Sequence, residues 1–336
     1  MNSSKKKLWN NFFSHVYVER DAYDYSLTRE ILSKLRYREI IEINDYKSAF
    51  SKNNQNFRIQ KNSPNIIFAV KKENYIYKGA KVCESFGNDN FYYTSSIVNC
   101  IYNCEYCYLQ GVYTSANIVI FVNIEDMFNE ITNFLKNDSM YLCISYDTDM
   151  LGLNNITGFI EKWYGFAEKN KNLTIELRTK SDNIAVLRNK NINKNFILAW
   201  TLSPENFIKE HELLTAKLEN RLKAIKEVIS LGYSVRICFD PIIYIKNFEE
   251  EYGDLIEQTF SYIKNSDILD VSIGTFRISK EYLKRMRKNM EDSSILMYPF
   301  TCVDGVYSYS EERNLYMINY VKNLVLRHVN DNKVYI

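Results

Sequence analysis

Histidine is scarce in this chain of 336 residues, which contains only three, and these lie far apart. A structural zinc site normally takes four Cys or His ligands, often as two closely spaced pairs. The sequence has no histidine pair, and four of its seven cysteines are isolated: Cys83, Cys143, Cys238 and Cys302. These absences argue against a structural zinc site and against a second metal site.

Long apolar runs and an excess of charge of one sign are missing as well. No run of eighteen apolar residues occurs, so we expect no membrane-spanning helix. Polar residues at positions 10, 11, 14 and 15 interrupt what would be the apolar part of a signal peptide. The net charge of +2 neither requires nor excludes a nucleic-acid partner. An odd number of cysteines argues against a disulfide framework, so we expect a cytoplasmic protein in a reducing compartment.

Three cysteines do lie close together, Cys100, Cys104 and Cys107, and a tyrosine follows the last of them. Three thiolates can bind three irons of a [4Fe–4S] cluster and leave the fourth iron without a protein ligand. This spacing is typical of radical S-adenosylmethionine (SAM) enzymes, in which SAM chelates the open iron. The alternative is a buried stripe of one helix, since the positions are i, i+4 and i+7. The polar residues Asn103 and Glu105 argue against such a stripe.

From about residue 90, strand-like and helix-like stretches alternate, which predicts an α/β fold with a parallel sheet. Six such units, with the cysteine loop after the first strand, predict an open partial (βα)6 TIM-type barrel with its active site at the carboxyl ends of the strands. The apolar stretch Ile118–Val122 has no assigned place in this fold. The predicted strands are Tyr92–Val98, Tyr141–Tyr146, Leu173–Arg178, Phe196–Leu202, Val235–Phe239 and Ile268–Thr275, and the predicted helices are Asp126–Leu135, Ile156–Glu168, Ala216–Leu231 and Glu249–Ile263.

The chain is predicted to have three parts. They are an N-terminal α/β extension packed on the barrel (residues 1–88), the partial barrel (89–280) and a C-terminal segment with a hairpin and helix (281–336). The elements expected in the extension are a strand at Val16–Glu19, a helix at Leu27–Leu35 and a polar loop at Ser51–Asn56.

Six short stretches carry motifs that are more specific than the cysteine spacing. They are CEYCYLQ at Cys104–Gln110, VNIED at Val122–Asp126, DMLGLNNITG at Asp149–Gly158, RTK at Arg178–Lys180, FDPIIY at Phe239–Tyr244 and EEEY at Glu249–Tyr252. Together they resemble the motifs of the spore photoproduct lyase family of radical SAM enzymes, and the resemblance runs over most of the chain. The cysteine spacing alone would indicate only the superfamily.

The resemblance implies a reaction that repairs DNA by direct reversal. In this family a [4Fe–4S] cluster and SAM generate a 5′-deoxyadenosyl radical, which takes a hydrogen atom from C6 of spore photoproduct, 5-thyminyl-5,6-dihydrothymine. The bond between the bases then breaks, and the remaining thymine radical needs a hydrogen atom back. The implied cluster ligands are Cys100, Cys104 and Cys107. The implied partners are DNA that carries the lesion and an electron donor such as flavodoxin or ferredoxin.

The resemblance also implies which residues return the hydrogen atom. The family donates it from a cysteine, assisted by two tyrosines that match Tyr106 and Tyr108. The donor motif SCTSD matches the stretch SYDTD that starts at residue 145, so Tyr146 occupies the donor position. Cys143 lies three residues earlier and would face away from Tyr146 in a regular strand. Only a bulge or the end of the strand would bring both to one cavity, so Tyr146 and Cys143 are both candidates.

Four further residues match family positions near the cofactor. Thr148 matches a serine that contacts SAM, Lys180 matches a lysine near the SAM carboxylate, and Thr201 matches a serine of the fourth strand. Arg277 matches a family arginine, although the histidine usually before it is Phe276 here. A surface cation at the end of a strand is the alternative for Lys180.

Binding of DNA depends on the C-terminal segment. The family opens the duplex with a hairpin rich in Arg, Lys and aromatic residues, because chemistry on a base requires flipping it out of the stack. The matching stretch, Thr301–Tyr309, has an Asp-Gly turn and two tyrosines that could stack on bases, but no arginine or lysine. The preceding helix supplies a basic cluster instead, or merely a solvated face. Its residues are Lys280, Lys284, Arg285, Arg287 and Lys288.

Three functions therefore stay open. The first is a spore photoproduct lyase with a modified return of the hydrogen atom. The second is a radical SAM enzyme of the same family that acts on another substrate, and the third is a non-catalytic, cluster-containing nucleic-acid-binding protein.

A chain so rich in Lys, Asn, Ile and Tyr is typical of an AT-rich genome. With the resemblance, this composition implies the spore of an anaerobic bacterium.

Overall fold

The computed structural model describes residues 12–52, 55–80 and 82–336. Positions 10 and 11, which bear on a signal peptide, and two residues of the predicted polar loop lie outside the described residues. Within the described part of the chain, no helix has the length and apolar character needed to cross a membrane.

The secondary structure alternates between short strands and helices. The strands are β1 (Phe12–Glu19), β2 (Arg36–Ile43), β3 (Ile66–Ala69), β4 (Tyr77–Lys78), β5 (Phe91–Tyr93), β6 (Ile97–Val98), β7 (Asn103–Cys104), β8 (Ile118–Phe121), β9 (Met140–Cys143), β10 (Leu173–Thr179), β11 (Phe196–Thr201), β12 (Glu212–Leu213), β13 (Ser234–Ile242), β14 (Asp270–Thr275), β15 (Arg277–Ser279), β16 (Thr301–Val303), β17 (Val306–Ser308) and β18 (Val334–Tyr335). The helices are α1 (Ser26–Lys34), α2 (Tyr46–Phe50), α3 (Phe57–Lys61), α4 (Leu109–Val112), α5 (Ile124–Leu135), α6 (Met150–Thr157), α7 (Phe159–Lys169), α8 (Glu205–His211), α9 (Leu218–Ser230), α10 (Phe248–Tyr262), α11 (Lys280–Asn289) and α12 (Glu311–Val325).

Strands β5, β9, β10, β11, β13 and β14 are neighbours in one sheet and run parallel. The sheet curls into a half-barrel, which confirms the predicted α/β partial barrel. Helices α5, α7, α9 and α10 lie between successive strands in the sequence. Alternate strand residues such as Leu142, Leu177, Leu198 and Ile237 are fully buried in the main apolar core. Burial of this apolar surface is what drives the layers together.

A second sheet lies in the N-terminal extension, in the order β2-β1-β3-β8-β6. Its neighbouring strands run parallel except β6, which is antiparallel to β8. The stretch without an assigned place is therefore β8, which pairs with β3 from Ile66↔Ile118 to Ala69↔Phe121. The extension's sheet thus includes strands beyond residue 88, and the chain returns to it between the first and second parallel strands of the half-barrel.

Three predicted elements differ from the structure. The strand expected at Tyr92–Val98 is divided between the two sheets, because the chain leaves the barrel after β5 and the Ser95 hydroxyl donates to Asp147. The strand expected at 141–146 ends at Cys143. The helix expected at 156–168 is two helices, α6 and α7, which meet at Gly158 with a positive φ of 63°. Glycine accommodates this left-handed conformation without steric cost.

The inner face of the half-barrel is polar toward the amino ends of its strands. Arg236 on β13, only 2% exposed, pairs with Glu176 on β10 and Asp270 on β14, each at 2.5 Å. The Phe86 ring packs against the Arg236 guanidinium. Phe86 comes from the segment between β4 and β5, so this segment fills the base of the barrel and its preceding residues lie along the barrel wall.

Candidate active site

The cysteine loop is held by a short antiparallel pairing with a distant part of the chain. Strand β7 pairs with β12, so that Cys104 lies opposite Glu212. The Glu105 backbone N–H donates to the carbonyl of His211 at 2.8 Å, and the His211 ring lies 2.6 Å from the Glu105 carboxylate. No helix begins before Leu109 in this segment. The alternative of a buried helical stripe of cysteines is therefore wrong.

The three thiols lie close enough to affect one another. Burial raises the pKa of Cys104, and the charges of Cys107 and Cys100 raise it further, while Lys180 lowers it. Burial likewise raises the pKa of Cys100 to about 12 although the Lys61 ammonium lowers it. Among the described residues, no three His, Cys, Asp or Glu side chains form a group that could hold a single metal ion. Three thiolates that each bind a different iron are expected to lie farther apart than the ligands of one ion.

Two lysines, the buried Lys61 and the half-buried Lys180, place positive charge at this loop. Lys61 is 7% exposed, and its ammonium donates to the carbonyl of Cys100. Burial lowers the pKa of Lys180, but Cys104 and Glu212 outweigh this effect and raise it above its ordinary value. The Lys180 ammonium lies 5.5 Å from the centre of the Tyr106 ring. The loop therefore combines three thiols, which can bind iron as thiolates, with two ammonium groups, which can offset the negative charge of such a cluster. Lys180 is half-buried beside the Tyr106 ring and is not a fully exposed surface cation.

Glu212 holds the cysteine loop through its pairing with Cys104 and its hydrogen bond with Tyr106. Its carboxylate accepts hydrogen bonds from Tyr106, from Ser203 at 2.9 Å and from Arg221 at 2.5 Å. Burial by itself raises the pKa of Glu212, but Arg221 and Lys180 hold it down to about 2. The Arg221 guanidinium also donates to the carbonyl of Thr201 at 2.9 Å. Tyr106 and Thr201, two predicted site residues, are thus both tied to this buried ion pair.

Tyr108 lies on a different side of the loop and reaches the residue at the predicted donor position. Its hydroxyl donates to the Tyr146 carbonyl at 2.6 Å and lies 3.3 Å from Asp147. The Tyr146 ring stacks on Tyr93, with 4.1 Å between centroids, and meets Tyr108 edge-on at 5.8 Å. The Tyr146 hydroxyl lies 3.7 Å from the sulfur of Cys83. Of the two tyrosines predicted to assist the return of the hydrogen atom, Tyr108 contacts Tyr146, whereas Tyr106 donates to Glu212.

Cys143 faces the interior of the barrel. The regular strand ends at this residue, so the alternation that would turn it away from Tyr146 does not continue to position 146. Burial, and to a smaller extent Glu176, raise the pKa of Cys143 to about 12 although Arg178 lowers it. Glu176 lies in the polar network of the inner face. The condition for the expected facing, a regular strand that continues to position 146, is therefore not met, and Cys143 and Tyr146 both stay candidates.

Thr148 and Arg277 occupy different parts of the site. Thr148 is buried, and its hydroxyl is one of the few buried side-chain groups in the described structure without a hydrogen-bond partner. An unpaired buried hydroxyl is costly, which suits a position that binds a group from outside the chain. Arg277 instead pairs with Asp240 at 3.0 Å, and its Nε donates to the carbonyl of Val82 at 2.8 Å. It therefore fixes the segment before Phe86 at the edge of the barrel.

A family model described as "Spore photoproduct lyase" matches residues 12–304. The chain belongs to the spore photoproduct lyase family. Among curated proteins, it is 22% identical over 302 residues to a spore photoproduct lyase from Clostridium acetobutylicum, a match that covers 85% of each chain. This family consists of radical SAM lyases that repair DNA and use a [4Fe–4S] cluster and SAM, so the predicted family and both cofactors are confirmed.

Solved structures of spore photoproduct lyase share the fold of this chain. One, in complex with dinucleoside spore photoproduct, aligns with a TM-score of 0.81 at 17% identity over 96% of this chain and 97% of that one. Another, a double mutant with bound SAM and dinucleoside spore photoproduct, aligns with a TM-score of 0.79 over the same shares. These likenesses support the partial-barrel fold.

Sequence reasoning missed three groups of this spore photoproduct lyase family site: Lys61, the Glu212–Arg221 pair and Cys83. Each belongs to a segment far from the cysteine loop in the sequence, and none forms a motif with it. Arg221 on α9 looks like an ordinary helical cation in the sequence. Its full burial was the one feature that would have identified it.

Proposed function

We propose that this protein is a radical SAM lyase that converts spore photoproduct in DNA into two thymines. The observation that carries the proposal is the contact between Tyr108, which directly follows the last cysteine of the loop, and Tyr146. A chain of tyrosine rings thereby links the cofactor loop to the inner face of the barrel. Aromatic side chains at this position offer stacking surfaces for flipped bases, which gain about 1–3 kcal/mol per base from such contacts.

The residues present fit both cofactors. Cys100, Cys104 and Cys107 would bind three irons, while the Lys180 ammonium would pair with the SAM carboxylate as a compact point charge. The unpaired hydroxyl of Thr148 would gain a partner in bound SAM. When bound, the cluster and SAM supply the radical that takes a hydrogen atom from the lesion. The protein itself orients the lesion and keeps other hydrogen donors away from it.

The C-terminal segment supports binding of DNA in a modified form. Hairpin β16–β17 is exposed at its tip, where Val303 is 65% exposed. Tyr309, expected to stack on bases, is instead buried, and its hydroxyl accepts from the backbone N–H of Tyr244 at 2.9 Å. Tyr309 therefore belongs to the apolar core, because the chain between β17 and α12 runs toward the interior. Tyr307 is half-buried and stays a candidate for stacking.

The basic cluster on α11 divides into two groups. Arg285 donates to backbone carbonyls of α4, and Arg287 donates to the carbonyls of Leu296 and Tyr298, so both hold the fold together. Lys280, Lys284 and Lys288 are exposed. Their spacing of four residues places them in one row on the helix, next to the hairpin. We assign this row, called the lysine row below, to contacts with DNA phosphates.

Neutralising the lysine row should weaken DNA binding by a measurable electrostatic amount. Each phosphate contact contributes about 0.9 to the slope of log K against log salt for duplex DNA. The double variant Lys284→Ala/Lys288→Ala should therefore lower the magnitude of that slope by about 2. Fluorescence anisotropy with a labelled duplex at several salt concentrations measures it. A matched variant on the barrel helix α9, Lys223→Ala/Lys226→Ala, should leave the slope unchanged, and equal slopes for all proteins would contradict the assignment.

The repair activity itself is tested with anaerobically reconstituted protein, dithionite, SAM and a dinucleotide that carries spore photoproduct. Conversion of the lesion into two intact thymines within the dinucleotide, together with formation of 5′-deoxyadenosine, supports the proposal. Formation of 5′-deoxyadenosine without loss of the lesion would instead support the second function, a different substrate, which the tyrosine at the donor position favours. DNA binding without cleavage of SAM would support the non-catalytic function. A ferredoxin or flavodoxin can replace dithionite to test the proposed electron donor.

A further inference from the structure

Three charged side chains form a connected cluster at the inner face of the half-barrel, and they are called the inner cluster below. Arg178 on β10 donates to Asp240 on β13 at 3.4 Å, and Asp240 also accepts from Arg277 on β15 at 3.0 Å. Alternation along β10 places Arg178 on the same face as Glu176, two residues closer to the carboxyl end of the strand. The inner cluster therefore lies on the active-site side of the network at the base of the barrel.

The inner cluster keeps hydrogen-bond donors that its own contacts do not use. The Arg178 Nε donates to Glu176 at 3.2 Å and its Nη1 donates to Asp240, whereas its Nη2 has no hydrogen-bond partner among the described residues. The side chains of Arg178 and Arg277 are 29% and 31% exposed, and that of Asp240 is 12% exposed. A guanidinium has five N–H donors and a carboxylate about four acceptor sites. The cluster can therefore take further partners from the barrel cavity.

Gly274 on β14 leaves the space in which Asp240 and Arg277 meet. A Cβ atom at this position would lie 2.8 Å from the Asp240 Oδ1 and 2.9 Å from the Arg277 Nη1. Glycine within a strand often marks such a close approach. Burial by itself raises the pKa of Asp240, but Arg277 and Arg178 hold it below its ordinary value. Asp240 is therefore an ionised acceptor at neutral pH.

The charges of the inner face balance one another, which favours a neutral ligand over an anion. Three arginines pair there with three carboxylates. They are Arg178, Arg236 and Arg277, with Glu176, Asp240 and Asp270. A phosphate bound at the inner cluster would meet the charge of Asp240 without a surplus cation to offset it. A neutral group that both donates and accepts hydrogen bonds would satisfy the cluster without adding charge.

The inner cluster presents its groups in the order donor, acceptor, donor. The imide edge of thymine or uracil has the complementary order, with carbonyl O4, N3–H and carbonyl O2. Cytosine presents a donor and two acceptors at the same edge and does not fit. Enzymes that flip a base out of the stack read it through this edge. Because N3 lies opposite C6 in the ring, a base held in this way keeps C6 and the bond between the two bases unobstructed.

We propose that Arg178, Asp240 and Arg277 bind the imide edge of one base of the lesion and thereby position the lesion in the barrel. The two guanidinium groups donate to O4 and O2, and the N3–H of the base donates to the Asp240 carboxylate. The inference rests on the proposed function, because it takes spore photoproduct as the molecule bound. It assigns Arg277 to the substrate, whereas the sequence analysis grouped it with positions near the cofactor.

The test compares dinucleotides of spore photoproduct that carry a methyl group at N3 of one base or of the other. The methyl group removes the N3–H donor and leaves C6 and the bond between the bases unchanged. At least one of the two methylated lesions should bind the reconstituted protein with SAM about tenfold or more weakly than the unmodified lesion, because it leaves the Asp240 acceptor without its partner. Anaerobic isothermal titration calorimetry without a reductant measures each Kd in the absence of turnover.

Two variants assign this discrimination to the inner cluster. Asp240→Ala should bind that methylated lesion and the unmodified lesion equally, because the acceptor for N3–H is gone. Arg178→Met should bind the unmodified lesion about tenfold more weakly, while Glu176 keeps Arg236 as a partner. The matched control is Arg188→Met, which removes an exposed guanidinium outside the barrel cavity and should bind as the wild type does. The methylated lesions and Arg178→Met test the inference even if Asp240→Ala does not fold.

Two results would overturn the inference. One is an equal Kd of the wild type for the unmodified and both methylated lesions, and the other is a wild-type preference that persists in Asp240→Ala. Repair of the unmodified lesion by the wild type would then still support the proposed function. If the wild type neither binds nor repairs the lesion, the proposed function fails, and this inference fails with it.

Discussion

Replacing Cys104 by alanine is expected to abolish cleavage of SAM. Each thiolate of the trio would hold one iron, and no other cysteine occurs in the loop to replace it. Changes to residues that only support metal ligands already cost about 10–100-fold, so loss of a ligand itself should cost at least a hundredfold. Iron content, the visible absorbance of the reconstituted protein and the yield of 5′-deoxyadenosine measure the effect.

The position of Cys104 makes this the most informative of the three ligands to change. It lies in β7, opposite Glu212, and it is buried, so alanine fits the same space without disturbing the pairing of the strands. Circular dichroism should therefore show an intact fold. Cys238→Ala, a variant of a buried cysteine outside the loop, should retain the cluster. A Cys104→Ala protein that still cleaves SAM at the wild-type level would show that the trio is not the ligand set, as would zinc bound in place of iron by the wild type.

Replacing Arg221 by leucine is expected to lower the free energy of unfolding by about 3–5 kcal/mol, the usual cost of breaking a buried ion pair. Both Arg221 and Glu212 have side chains with no exposure to solvent. Without the guanidinium, the Glu212 carboxylate would stay buried beside Tyr106 and Ser203 with only Lys180 left to offset its charge. Denaturant unfolding followed by circular dichroism measures the loss.

The control for Arg221 is an ion pair of similar geometry on the surface. Arg188 pairs with Glu227 at 2.6 Å, and both side chains are at least 40% exposed. Pairs of this kind contribute little to stability, so Arg188→Leu should leave the unfolding midpoint unchanged. If the two variants unfold at the same denaturant concentration, the buried pair does not anchor the cysteine loop. A smaller loss for Arg221→Leu/Glu212→Leu than for Arg221→Leu alone would confirm that the uncompensated charge is the cause.

The strands of the half-barrel could be predicted from the sequence because most of their residues are buried on both faces of the sheet. Strands β10 and β11 match their predictions to within one residue at each end. Parallel strands covered by helices are nearly continuous apolar runs, and such runs stand out from their flanking turns. The first predicted strand failed for a different reason. Its residues are strand-like throughout, and only the pairing of β6 with β8 shows that the second half belongs to another sheet.

Among the site residues, too, some could be predicted from local sequence and others depended on tertiary structure. Cys100, Cys104, Cys107, Tyr108 and Tyr146 could be named from local motifs, and the structure brings the two tyrosines together at the loop. Tyr309 shows the limit of motif reasoning, because an aromatic residue in a hairpin can serve the core as well as a ligand. Cys143 shows another limit, since its facing depends on where a strand ends. Alternation along a strand predicts nothing beyond its last residue.

By itself, the sequence determined the thiol donor set, the alternation of strands and helices and the family. These are local properties, carried by spacing within a few residues or by the apolar pattern of a single element. Only the tertiary structure decided that Lys61 lies beside Cys100, that Arg221 neutralises Glu212 beneath the loop and that Cys83 contacts Tyr146. Contacts between distant segments follow from how the layers pack to bury apolar surface and pair buried charges, and no short stretch of sequence encodes them.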